Sequence, residues 1–122
     1  MRARILVVDD DRDNADSLAR LVTILGHEAI TAYSGRQAIE AARDLRPELV
    51  LVDLEMPGMD GYETAAHIRR LLGSGTVLVA VTGWSRKEDK QRATTSGFDL
   101  HYAKPLSLDS LEELLAIPSP VA

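Results

Sequence analysis

LVLVDLEMPGMDG, residues 49–61, decides how the rest of this chain is read. Leu49 to Val52 form an uninterrupted apolar run in which Val alternates with Leu, the pattern of a strand buried on both faces. The run ends on an acid, Asp53, which places a carboxylate at the strand's carboxyl end. In an open parallel α/β sheet, ligands gather at that edge because the loops there part and leave a crevice. Pro57-Gly58 predicts a turn, and Asp60 predicts a cap for a helix starting near Gly61. The segment therefore reads as strand, exposed acid, rigid loop and helix. On these residues alone, an ordinary strand-to-helix connection with a capping or solvated Asp accounts for it equally well.

Outward from this stretch, strand-like runs alternate with helical patterns five times. Arg4–Val8 is the first predicted strand and runs into Asp9, Asp10 and Asp11; Leu18, Leu21, Val22 and Leu25 give the following helix one apolar face, closed by Gly26. Glu28–Ala32 is less apolar, which suits an edge strand. Ala38, Ile39, Ala42 and Leu45 face the core from the second helix, and Pro47 stops it. Ala65, Ile68 and Leu72 mark the third helix, broken by the glycines of residues 73–75. Residues 76–81 form a fourth buried strand ending at Thr82-Gly83, and residues 99–103 a short fifth strand followed by Lys104-Pro105. Between them, residues 85–96 scan as a helix with little apolar surface beyond Ala93, so it is expected to be the most weakly anchored. Leu108, Leu111, Leu114 and Leu115 carry the last helix. The fold expected is α/β, a doubly wound (βα)5 five-stranded parallel sheet with helices on both faces, and 2-1-3-4-5 is a strand order that right-handed crossovers allow.

Size and composition agree with one such domain. The chain has 122 residues, no cysteine, and 14 basic against 19 acidic side chains for a net charge of −5. Disulfides and thiolate metal sites are excluded, and the balance argues against a nucleic-acid surface, which needs a basic patch. No apolar run approaches the roughly 20 residues of a membrane span, and no signal peptide precedes the first strand, so a cytoplasmic location is expected.

With the strands in that order, Asp9, Asp10, Asp53, Thr82 and Lys104 end up around one crevice. Three crowded carboxylates repel one another, and a hard divalent cation relieves this; Mg²⁺ fits best, because it takes few carboxylates and keeps oxygens of water or phosphate as its other ligands. Lys104 adds a positive charge and Thr82 a hydroxyl donor. Such groups suit a carboxylate that attacks a phosphoryl group, and Asp53, central in the sheet, is the best nucleophile.

The paired acids of residues 9–10, the VDLEMPGMDG block, the Thr82-Gly83 pair and the Lys104-Pro105 pair together resemble the receiver domain of two-component response regulators. The resemblance covers nearly the whole chain, with residues 1–117 as the receiver domain and 118–122 as a tail or the start of a linker, and it implies a flavodoxin-like fold with strand order 2-1-3-4-5. It implies Asp53 as phospho-acceptor and Asp9 and Asp10 as an acid pocket, with metal contacts from these acids, Asp53 and the Glu55 backbone carbonyl. It implies Thr82 and Lys104 as phosphate contacts, and a phosphohistidine on a histidine kinase or histidine phosphotransfer protein, or a small phosphodonor, as the source. Because Thr82 leads into the thinly anchored helix 85–96, the face made by that helix, the fifth strand and the last helix is expected to rearrange on phosphorylation. One position departs from the pattern: His101 stands where many members carry a switching Tyr or Phe, which resembles receivers of hybrid sensor kinases. His101 is expected to swing with Thr82.

Other readings are weaker. Asp9, Asp11 and Asp13 alternate as in a calcium loop, but Asn14 stands where Gly is needed and Arg20 where a bidentate Glu belongs; Asp11 and Asp13 better suit a helix amino end. His27 and His67 have no second ligand at metal spacing and are read as solvated. Trp84 is either a core residue or a loop aromatic gating the site. Glu55 is either plain loop polarity or a charge that alters how fast water removes the phosphoryl group. An aspartate-nucleophile phosphatase for small molecules, with Glu55 as acid/base, and a non-phosphorylated pseudo-receiver are the competing functions. The chain is read as a stand-alone receiver or as part of a larger protein.

Overall fold

The computed structural model describes residues 3–56, 58–83 and 96–116. The expected helix over 85–96, Trp84, Pro57 and the tail from 118 lie outside those residues, save Ser96 itself. Five strands, β1 (Arg4–Val8), β2 (Glu28–Ala32), β3 (Leu49–Asp53), β4 (Val77–Thr82) and β5 (Leu100–Ala103), form one parallel sheet of order β2-β1-β3-β4-β5. The described helices are α1 (Arg12–Ile24), α2 (Gly35–Leu45), α3 (Gly61–Leu72) and α4 (Leu108–Leu115). This is the expected architecture.

The two-residue alternation of the strands builds two cores. Leu6, Val8, Val50, Val52, Leu78 and Ala80 pack against Ala38 and Ala42 of α2 and Ala65 and Ile68 of α3. Ile5, Val7, Leu49, Leu51, Val79 and Val81 face the other way, onto Ala15 and Val22 of α1 and Leu111 and Leu114 of α4. Because β3 is buried at every position, its sequence is apolar on both faces rather than alternating.

Three leucines assigned to helix faces are more exposed than the periodicity suggests. Leu21, Leu45 and Leu108 are all solvent-exposed. Leu45 and Leu108 are the terminal residues of their helices. Leu21 borders an open cavity of about 430 Å³, where α1 does not close on the loop after β5.

Local chemistry fixes the helix starts. Asp11, Ser34, Asp60 and Ser107 each accept a hydrogen bond from the backbone N–H three residues on, so these four described helices begin on a capping side chain. Arg69, with no signal in the sequence, ties the exit of α3 to the approach to β5: its guanidinium donates to the carbonyls of Gly73, Thr76 and Gly97 and to Asp99 Oδ2 at 2.6 Å. Asp99 in turn accepts from the Leu78 N–H.

Gly61 sets how closely α3 approaches the end of β3. A Cβ there would lie 2.5 Å from the Asp53 carbonyl oxygen and 2.7 Å from Leu54 Cα, backbone atoms that cannot turn aside. Gly61→Ala is expected to cost about 3 kcal/mol, the upper end for overpacking, read as a lowered urea midpoint with unchanged slope.

Candidate functional site

The strand register assembles the site. Val8 pairs with Val52 and Asp53 with Val81, so Asp9, one step past β1, lies beside Asp53 at the carboxyl edge. Asp9 and Asp53 continue the odd-numbered alternation that faces α1 and α4. Thr82 pairs with Ala103, and the Lys104 N–H donates to the Thr82 carbonyl at 2.8 Å, which brings Lys104 to the same edge.

Asp53 is not the exposed acid that the sequence suggested. It is 4% exposed, because the loop after β3 turns back over it and neighbouring strands flank it on both sides. Its Oδ1 accepts from the Glu55 N–H at 2.9 Å and holds the Lys104 ammonium at 2.9 Å. Burial by itself would lower the Lys104 pKa, but the hydrogen bond and charge of Asp53, followed by the charges of Asp9 and Glu55, outweigh it and leave the pKa raised. Lys104 is therefore a fixed cation at neutral pH.

Asp9, Asp10 and Asp53 present carboxylate oxygens that all lie within 4.8 Å of one another. Asp10 is exposed and Asp9 is largely covered, with its Oδ1 accepting from the Asp11 N–H at 3.0 Å. Burial pushes the Asp9 carboxyl up to about 6; the Asp11 N–H opposes this, and the charge and hydrogen bond of Asp53 add to it. Three hard oxygen donors this close together fit a divalent cation such as Mg²⁺.

Thr82, 2% exposed, joins the group through Glu55. Its hydroxyl donates to Glu55 Oε1 at 2.8 Å, and the Gly83 N–H donates to the same oxygen at 2.9 Å. The sequence offered Glu55 as loop polarity or as a charge near the site, and gave no sign of this bridge. His101 sits half-buried on β5, in register with Ala80. His27 is not simply solvated: it is half-buried, and its Nδ1 accepts the Ala3 N–H at 3.0 Å, because the turn after α1 brings the ring against the start of β1. His67 is exposed, with Nδ1 3.3 Å from Arg70. The cavity beside Leu21 opens onto the same edge, with Asp9, Lys104, Leu18 and Leu106 in its walls. Among the described residues, no helix is long and apolar enough to cross a membrane.

The family follows from comparison. Residues 5–116 match the response regulator receiver domain, and the chain belongs to that family, the receivers of two-component systems. It is 40% identical over 113 residues to the sensor histidine kinase RcsC of Salmonella typhi, an alignment covering 93% of this chain and 12% of that protein. Among solved structures it is similar to the receiver domain of a sensor histidine kinase from Pseudomonas aeruginosa with a magnesium ion coordinated in the active-site cleft, with a TM-score of 0.84 and 26% identity over 94% of this chain and 95% of that one. It is also similar to a response regulator from Burkholderia pseudomallei with a phosphorylated aspartic acid, calcium ion and citrate, with a TM-score of 0.85 and 26% identity over 96% of this chain and 67% of that one.

The raised Asp9 carboxyl has a consequence for stability. The folded value of about 6 lies above the ordinary 3.8, so the folded protein keeps a proton that the unfolded chain releases. That contribution is complete below 3.8 and is lost as pH rises through about 6. In metal-free buffer the urea midpoint of Asp9→Asn is expected to fall less than that of the wild type between pH about 4 and about 7.

Proposed function

We propose that this receiver domain takes a phosphoryl group onto Asp53 from a phosphohistidine of a histidine kinase or histidine phosphotransfer protein, or from a small phosphodonor. The observation that carries the reading is a carboxylate 4% exposed at the carboxyl edge of the sheet, with an ammonium 2.9 Å away. Asp53 Oδ1 takes the Lys104 ammonium and the Glu55 N–H, and the other carboxylate oxygen, Oδ2, forms the new O–P bond. As it forms, the N–P bond of the phosphohistidine breaks, and its electron pair returns to the imidazole nitrogen. Lys104 then balances charge on the phosphoryl oxygens, and Thr82 supplies a hydroxyl donor to them. A divalent ion such as Mg²⁺, held by Asp9, Asp10, Asp53 and the Glu55 backbone carbonyl, would add positive charge at the same oxygens. The domain acts on its own carboxylate rather than turning over a substrate.

The output follows from differential binding. Lys104 and Thr82 interact better with the modified than with the unmodified Asp53, and that difference shifts the equilibrium. Thr82 ends β4 and His101 lies on the adjacent strand, so His101 and the face formed with α4 are the proposed route outward. A small-molecule phosphatase would use Glu55 as acid/base; its carboxylate instead accepts hydrogen bonds from Thr82 and Gly83.

Incubation with acetyl phosphate and Mg²⁺ is expected to add one phosphoryl mass to the wild type and none to Asp53→Asn, by intact-mass spectrometry. Chelation of the metal should suppress the adduct. Lys104→Ala is expected to slow its formation at least about tenfold, since it removes the cation closest to the acceptor. Catalytic turnover of a phosphomonoester without a stable adduct would overturn the assignment.

A further inference from the structure

The Glu55 side chain does something that the acceptor reaction does not ask of it. Its Oε1 holds both the Thr82 hydroxyl, at 2.8 Å, and the Gly83 N–H, at 2.9 Å, while its own backbone N–H holds Asp53 Oδ1 at 2.9 Å. One residue therefore touches the acceptor with its main chain and two donors at the tip of the adjacent strand with its carboxylate. A carboxylate oxygen and a phosphoryl oxygen are alike in what these donors sense: both are anionic and both only accept. Glu55 itself is exposed, so packing does not press its side chain into this position. The Thr82 side that it satisfies is buried, where an unmade hydrogen bond is costly.

We infer that the Glu55 carboxylate is a resident anion, occupying in the unmodified protein the Thr82 and Gly83 donors that a phosphoryl group on Asp53 would take, and that phosphorylation displaces it. This rests on Asp53 being the acceptor and assigns Glu55 a positioning role in the same reaction. The donors are held in place between phosphorylation events instead of collapsing onto other partners. The arriving phosphoryl group has to outcompete a tethered carboxylate, so the contact lowers the apparent affinity of the site for phosphoryl-like anions. The displaced carboxylate returns to water at little cost, since Glu55 is an exposed residue, and like-charge repulsion drives it outward.

The test is titration of the chain with beryllofluoride and Mg²⁺, comparing wild type, Glu55→Ala and Glu55→Asp, with the Gly83 and Thr82 amide resonances followed by NMR. The Asp variant keeps the charge but draws the carboxylate back by one methylene, out of hydrogen-bond reach of both donors. Both variants are expected to bind beryllofluoride at least about threefold more tightly than wild type, a modest factor because the carboxylate is exposed. Both are also expected to shift the Gly83 amide before any ligand is added. Wild-type affinity in Glu55→Asp would mean that charge alone matters and would overturn the inference, as would unshifted resonances in ligand-free Glu55→Ala. If no variant, wild type included, binds beryllofluoride any better than Asp53→Asn, the acceptor assignment itself fails and this inference falls with it.

Discussion

Like charges meeting at the tips of two adjacent parallel strands are the constraint on which the rest of this structure depends. Parallel pairing in register brings Asp9 and Asp53 side by side, and Asp10 completes a set of carboxylates within 4.8 Å. Water cannot fully solvate them, because Asp53 is buried and Asp9 nearly so. The protein relieves the repulsion in two ways. Lys104, delivered by β5, is drawn against Asp53, and burial, with the Asp53 charge adding to it, raises the pKa of the Asp9 carboxyl. A site balanced in this way has stored affinity for added positive charge and, through Lys104, for an added anion.

The rest of the fold serves to hold those tips still. Strands β1, β3 and β4 bury nearly every side chain between two layers of helices, so their ends have little freedom to separate. Gly61 allows α3 to start directly against the end of β3, which keeps the loop carrying Glu55 short and folded over Asp53. Arg69 and Asp99 fasten the opposite end of β4 and the approach to β5, far from the chemistry but on the same strands that position Thr82 and Lys104.

Glu55 links Asp53 to the end of β4. Its backbone touches Asp53 and its side chain touches Thr82, so a change of charge on one is felt by the partner of the other. An element with two discrete hydrogen-bonding arrangements is what a switch requires, and a solvent-exposed carboxylate on a short loop can move between them without disturbing the core.

Much of this was legible in the chain itself. Periodicity gave the strands to within a residue and the edge position of β2, because a buried parallel strand can hardly be written in any but apolar residues, while right-handed crossovers allowed the sheet order and the receiver resemblance implied it. The cap at Asp60, and the place of Asp11 at the amino end of α1, were equally readable, since both depend on neighbours a few residues away. The sequence also placed Asp9, Asp10, Asp53, Thr82 and Lys104 at one edge, because each lies at a strand end or within two residues past it. Tertiary structure alone decided the burial of Asp53, the exposure of Leu21 beside an open cavity, the backbone N–H held by His27, and the capture of Thr82 and Gly83 by Glu55. Those are contacts between residues about 24 or more apart in the chain or consequences of how elements close on one another. Sequence patterning registers which face a residue takes, whereas the partner that meets it there is set only when the strands and helices pack.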